Sequence, residues 1–254
     1  MKRKRKIVCY FCCIFFCIIS LYKYFFSMTQ YENIRQNMLK KESSNVRIAI
    51  IDSGISVEYI DECESFKDFT SDNNIIDKTG HGTSMYEIIH SKKWGIAPNA
   101  RISILKVTTS NGKTSFDDVI KALKWCENNN VNIVSMSLAT SQNNKDMYSE
   151  IKKMSNLGIH IFSAVSNTSG YLSYPAEYKE VIGIYAWQTF DFYDKADYYF
   201  LPVNDFIIHE KVRGNSAATA FCAAMASYHL TESNEANKEI SNLELFEYIL
   251  EDIE

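Results

Sequence analysis

Three short stretches of this 254-residue chain carry the residue types of nucleophilic catalysis: "IAIIDSGI" (48–55), "GHGTSM" (80–85) and "RGNSAATA" (213–220). Each is ambiguous alone. Asp52 closes an apolar run and would also suit a turn, or a ribose or phosphate contact. His81 stands between Gly80 and Gly82, two of only nine glycines, and by itself fits a helix cap. Ser216 follows Gly214 at the start of a small-residue helix of a kind that usually just packs closely. The three acquire meaning jointly. A serine hydroxyl becomes a nucleophile when a neighbouring imidazole takes its proton. That imidazole in turn needs a carboxylate to fix its tautomer and stabilise its charged form. A serine at a helix N-terminus also meets the positive end of the helix dipole, where an oxyanion would develop. The order Asp, His, Ser therefore predicts a hydrolytic triad of Asp52, His81 and Ser216.

The elements that must position these residues are legible as alternating patterns. "VRIAII" (46–51), "RISILKV" (101–107), "VNIVSMSL" (131–138), "IHIFSAV" (159–165) and "VIGIYA" (181–186) are short β-branched-rich runs that read as buried strands. In "SFDDVIKALKWCENNN" (115–130), Ser115 and Asp118 make a capping box, and Phe116, Val119, Ile120, Leu123 and Cys126 share one face. "NKDMYSEIKKMSNLG" (144–158) repeats that design and stops at Gly158, and "SNLELFEYILEDI" (241–253) closes the chain as an amphipathic helix. Strand–helix–strand alternation predicts an α/β fold in three layers, a mostly parallel sheet flanked by helices on both faces. In such sheets ligands gather beyond the carboxyl ends of the strands, where Asp52 is expected.

The three blocks resemble the active-site blocks of the subtilisin-like serine proteases, in that family's order. "GIAPNARISILKV" (95–107), "VNIVSMSL" and "YPAEYKEVIGI" (174–184) resemble further family segments in the right succession, so the likeness covers roughly residues 46–232. It implies a subtilisin-like fold over 46–254 and a serine endopeptidase acting on a peptide or protein substrate through an acyl-enzyme, with no cofactor. In "SAVSNTSG" (163–170) it implies Asn167 as an oxyanion donor. It also implies a cleft walled by Ser137, Leu138 and Ala139, with Gly112–Ser115 as the opposite edge, so that a peptide lies between them as an added strand.

The chain departs from the family at several places. Ala139 and Ser166 stand where glycine is common, Asn215 where threonine precedes the nucleophile, and Ala220 where proline is usual. These changes keep open a second reading, a catalytically inactive subtilase-like binding or regulatory protein. After His81 the loop "YEIIHSKKW" (86–94) offers His90, Ser91 and two lysines, a set unsuited to calcium, and no metal is expected there. Only residues 27–45 separate the apolar N-terminal run from the first strand, too few for a propeptide domain. The aromatic segment 185–201 is expected to pack beneath loops. An α/β-hydrolase elbow is excluded, because Ala218 stands where its second glycine belongs and the triad order differs. A nucleotide-binding reading of "GHGTSM" lacks a third glycine and a strand directly before it.

The N-terminus is a separate object. Lys2, Arg3, Lys4, Arg5 and Lys6 precede sixteen uncharged residues, Ile7 to Tyr22, then Lys23 and Phe25–Phe26. This predicts a signal-anchor over 1–26 that spans the membrane through 7–26, followed by a polar tether over 27–45. The chain would then be a single-pass protein of the cell membrane with its domain outside the cytoplasm, the alternative being secretion after signal cleavage. Taking those five charges from the net −4 leaves −9 for the remainder, a body that repels phosphate backbones; no nucleic-acid partner is expected. Four of the seven cysteines lie in the apolar run. Cys63, Cys126 and Cys222 are an odd number and predict at least one free thiol.

Overall fold

The computed structural model describes residues 29–166, 172–186, 199–201, 214–236 and 238–253, the last strand by its backbone alone. Within these residues a seven-stranded, wholly parallel sheet carries the chain: β1 (Arg47–Asp52), β2 (Ser65–Asp68), β3 (Arg101–Lys106), β4 (Ile133–Met136), β5 (His160–Ala164), β6 (Val181–Ala186) and β7 (Tyr199–Leu201), in the order β2-β3-β1-β4-β5-β6-β7. The helices are α1 (29–38), α2 (His81–Ile89), α3 (Phe116–Asn128), α4 (Lys145–Asn156), α5 (Asn215–Glu235) and α6 (Asn242–Ile253).

Two cores flank the sheet, and the period of two along each strand assigns its side chains between them. Ile48 and Ile50 of β1, Ile102 and Ile104 of β3, Phe162 of β5, and Ile182 and Ile184 of β6 enter the core under α1, α2, α5 and α6. Ala49 and Ile51, Leu105, Val134 and Met136, and Ile161 enter the core under α3 and α4. Both faces are covered, so the central strands are buried along nearly their whole length. The three-layer α/β architecture is as expected.

The direction of growth reverses at β1. From it the chain adds β3 and β2 on one side, then β4 to β7 on the other. The crevice opened by that reversal lies beyond the carboxyl ends of β1 and β4. Asp52 is the last residue of β1, and 137–139 directly follow β4.

Capping follows the sequence closely. Ser115 accepts from the Asp118 N–H and donates to its carboxylate at 2.7 Å. Asn144 accepts from the N–H groups of Asp146 and Met147, and Gly158 ends α4 with a φ of 78°. Cys63, Cys126 and Cys222 are all free thiols.

Three differences from the sequence reading stand out. Residues 29–38, read as part of a polar tether, form a helix whose Tyr31, Ile34 and Met38 are buried in the main core. Arg35 of that helix is buried too, donating to the carbonyls of Gly95 at 3.1 Å and Lys92 at 2.8 Å, while the Tyr31 hydroxyl donates to the Trp94 carbonyl. The helix therefore braces the loop between α2 and β3. Strand β2 was not anticipated: it is an edge strand with only partial burial. Part of the aromatic segment 185–201 is strand, its first two residues ending β6 and its last three forming β7; the stretch 187–198 lies outside the described residues. The expected membrane span, 7–26, also lies outside them, and among the described residues no helix is long and apolar enough to cross a membrane.

Tyr31→Ala should destabilise the chain by about 3–5 kcal/mol, the usual cost of truncating a buried aromatic. Urea unfolding would measure it; an unchanged midpoint would mean that α1 is not part of the cooperative unit.

Candidate active site

Asp52 is carried to the end of β1, following Ile48 and Ile50 on the face that α2 covers. It is 3% exposed. Its Oδ1 accepts from the Ser53 N–H at 2.8 Å, and its carboxylate meets His81 Nδ1 at 2.8 Å (Oδ1) and 3.0 Å (Oδ2). An ionised carboxylate only accepts, so Nδ1 holds the proton and Nε2 is left as the basic nitrogen. The hydrogen bond that His81 donates to Asp52 raises the His81 pKa above its ordinary 6.5; burial opposes the shift, and the charges of Asp52 and Asp77 add to it. The imidazole side chain remains 36% exposed, open to a reacting group.

The backbone around His81 explains both of its glycines. Gly80 takes φ 79° just before α2, where a side chain would be strained. At Gly82 an added Cβ would sit 2.5 Å from the Gly54 carbonyl oxygen and 3.2 Å from Asp52 Cβ. Only glycine lets α2 come that close to the end of β1, and that approach brings the imidazole to the carboxylate.

Every N–H of the first turn of α2 that lacks a helical acceptor is met. His81 donates to Thr79 Oγ1 at 3.2 Å, Gly82 to Ser53 Oγ at 3.0 Å and Thr83 to Asp77 Oδ2 at 2.9 Å. Asp77 organises this turn. Its Oδ1 accepts from Ser53 Oγ, from Thr79 N–H and Oγ1, and from Gly80 N–H, and its Oδ2 also accepts from Thr83 Oγ1. Burial works against ionisation, but the donors from Thr83, Gly80 and Ser53 prevail and hold its carboxyl below the usual range.

Ser216 occupies the second position of α5, which starts after Gly214. Its amide belongs to the first turn, whose N–H groups find no acceptor within the helix. Helices α2 and α5 pack against each other in the main core. The first turn of α5 is fastened to the sheet by Asn215, which bonds to Ala186 at the end of β6 and to Val165 just after β5. Thus His81 and Ser216 begin two packed helices, and α5 begins beside the carboxyl ends of β5 and β6. Asn167 lies outside the described residues.

Of the expected cleft residues, Leu138 and Ala139 line a cavity of about 380 Å³, and Ser137 does not. Its lining combines Leu138, Ala139 and Thr140 with Thr114, Ser115 and Phe116, and with Val119, Met136 and Met147. Ser137 donates to Met85 Sδ on α2 at 3.3 Å, which ties the segment after β4 to the helix of His81. An antiparallel bridge pairs Thr140 with Tyr174, both of which line the cavity.

Comparison with known proteins decides the family. Residues 43–207, more than half of the chain, match the family described as the subtilase family. The chain belongs to the subtilase family. Among curated relatives, this subtilase is 30% identical over 150 residues to the minor extracellular protease Epr of Bacillus subtilis (strain 168), covering 56% of this chain and 23% of that protein. It is 29% identical over 150 residues to the thermostable alkaline protease of Halalkalibacterium halodurans (56% and 42%). To subtilisin DY of Bacillus licheniformis it is 26% identical over 155 residues (56% and 57%). The matched regions therefore span between about a quarter and somewhat over half of these relatives' lengths. The family match includes Asp52 and His81 and stops at residue 207, before Ser216.

Two residues that organise the subtilase's site went unnoticed in the sequence, Asp77 and Ser53. A signal existed: "DKTGH" (77–81) is an Asx-type turn leading into a helix whose own cap, Gly80, has no side chain.

Asp77→Ala removes the acceptor of six hydrogen bonds and should cost about 3 kcal/mol or more, read as a lower Tm; an unchanged Tm would deny it this role. The raised pKa of His81 also predicts a sign. Its charged form is favoured in the fold, so this contribution to stability is complete below about pH 6.5 and fades as pH rises through the elevated value. In an NMR titration of the imidazole, Asp52→Asn should move the His81 midpoint downward; no movement would mean the pair is not coupled.

Proposed function

We propose that this subtilase is an exported serine endopeptidase that hydrolyses peptide bonds through an acyl-enzyme on Ser216. The observation that carries this reading is the bond between the buried Asp52 carboxylate and His81 Nδ1, on a helix packed against the one that Ser216 begins. In the proposed reaction His81 Nε2 takes the Ser216 hydroxyl proton as Oγ attacks the scissile carbonyl carbon. The oxyanion forms at the N-terminus of α5, with the Ser216 N–H and the Asn167 amide as donors. The imidazolium, stabilised by Asp52, gives its proton to the leaving amine; water then repeats the sequence on the ester and frees Ser216.

A peptide would lie between 112–115 and 137–139, paired as an added strand. The cavity lined by Phe116, Val119, Met136, Leu138 and Met147 favours a large apolar side chain there. Residues 7–26 would anchor the chain in the membrane, with the catalytic domain outside the cytoplasm; secretion after cleavage is the alternative. An anchored enzyme of this size suits limited processing of exported peptides or leader sequences over bulk digestion.

Ser216→Ala should abolish cleavage of a peptide library and labelling by a fluorophosphonate, both present in the wild type. A wild type that takes no label would favour the inactive binding protein instead. Within the library, cleaved sequences should be enriched in large apolar residues at one fixed distance from the scissile bond; Met147→Lys should weaken that preference, and an unaltered profile would remove this cavity from the substrate path.

A further inference from the structure

The residue before the proposed nucleophile is the point at which two strands are tied to one helix. Asn215 is 4% exposed and uses both ends of its carboxamide: Oδ1 accepts from the Ala186 N–H at 2.9 Å, and Nδ2 donates to the Val165 carbonyl at 2.8 Å. Ala186 is the last residue of β6, and Val165 follows directly on β5. Asn215 also accepts at its own carbonyl from Thr219 Oγ1 at 2.7 Å, which fixes the first turn of α5 from within. The helix has no side-chain cap, because Gly214 precedes it. The amide of Asn215 thus replaces a cap with a bridge to the sheet.

We infer that Asn215 is a positioning residue that sets Ser216 against His81, an inference that rests on Ser216 being the nucleophile. The two sides of the reaction are held by separate networks. His81 is located by Asp52, Ser53 and Asp77 at the end of β1; Ser216 is located by Asn215 at the ends of β5 and β6. Nothing in the first network would compensate for slack in the second. The same amide holds the carbonyl of Val165, so one side chain fixes the start of α5 against the end of β5. A carboxamide does this because its acceptor and donor are separate atoms facing two strand ends. A threonine, usual in the family here, would have to serve both with one oxygen on a shorter stem.

The substrate edges at 112–115 and 137–139 belong to other elements, so loss of the bridge should fall on kcat. A displacement of about 1 Å in a reacting group costs on the order of 10²-fold. For the full chain in detergent, Asn215→Ala should slow fluorophosphonate labelling and kcat on a cleaved fluorogenic peptide by about that factor, with KM changed less than about threefold, rates being taken per folded molecule from thermal melts. Asn215→Asp keeps the acceptor but sets an oxygen against the Val165 carbonyl, and should also be slow. Met154→Ala serves as the control: it weakens the fold in the core on the opposite face of the sheet from α2 and α5, and should leave labelling per folded molecule unchanged. Wild-type labelling and kcat in both Asn215 variants, with only Tm lowered, overturn the inference. Should Asn215→Ala not fold, Asn215→Asp and Asn215→Thr decide it by the same criterion. If the wild type takes no label, or Ser216→Ala labels equally, what fails is the assignment of the nucleophile.

Discussion

A carboxylate almost wholly removed from water at the end of a central strand has to be met by donors, and this fold is arranged around meeting it. Asp52 receives the Ser53 N–H and His81 Nδ1. To bring the imidazole there, α2 must begin against the backbone of Gly54, which excludes any side chain at position 82. A helix begun in so confined a place cannot leave its terminal N–H groups to water, and Thr79, Ser53 and Asp77 accept from them. One buried charge thus dictates a glycine, a turn and a second carboxylate.

The sheet converts this local arrangement into a site. Because the chain turns from one side of β1 to the other, the loops after β1 and β4 diverge and leave a crevice between them. Helices α2 and α5 rest on the same face, in the same core, α2 beginning at the end of β1 and α5 beside the ends of β5 and β6. Behind them Arg35 and Tyr31 of α1 satisfy the carbonyls of the loop leaving α2, so the helix of His81 is supported at both ends.

Where the sequence was informative, one interaction dominated locally. The central strands are apolar on both sides and declare themselves as runs; Ser115 and Asn144 cap the helices they precede. Strand β2 stayed hidden because an edge strand needs no apolar run, and its Phe66 is 49% exposed. Helix α1 stayed hidden because its apolar residues, Tyr31, Ile34 and Met38, are few and lie among charges, and its buried arginine reads as surface until the carbonyls it meets are known. Asp77 and Asn215 look like ordinary turn and cap residues; the bond of Asp77 to Ser53 and those of Asn215 to Ala186 and Val165 join segments distant in the chain.

From its order of residues alone the chain declares an α/β sheet, the family, and the pair Asp52 and His81, because hydrophobic period and motif spacing are local properties. What only the tertiary structure decided is how those groups are held: that Gly82 serves a backbone contact, that Asp77 closes the turn before the histidine, and that Asn215 bridges two strand ends. Hydrogen bonds between distant segments depend on distance and direction in space, and neither is written in the spacing of residues along the chain.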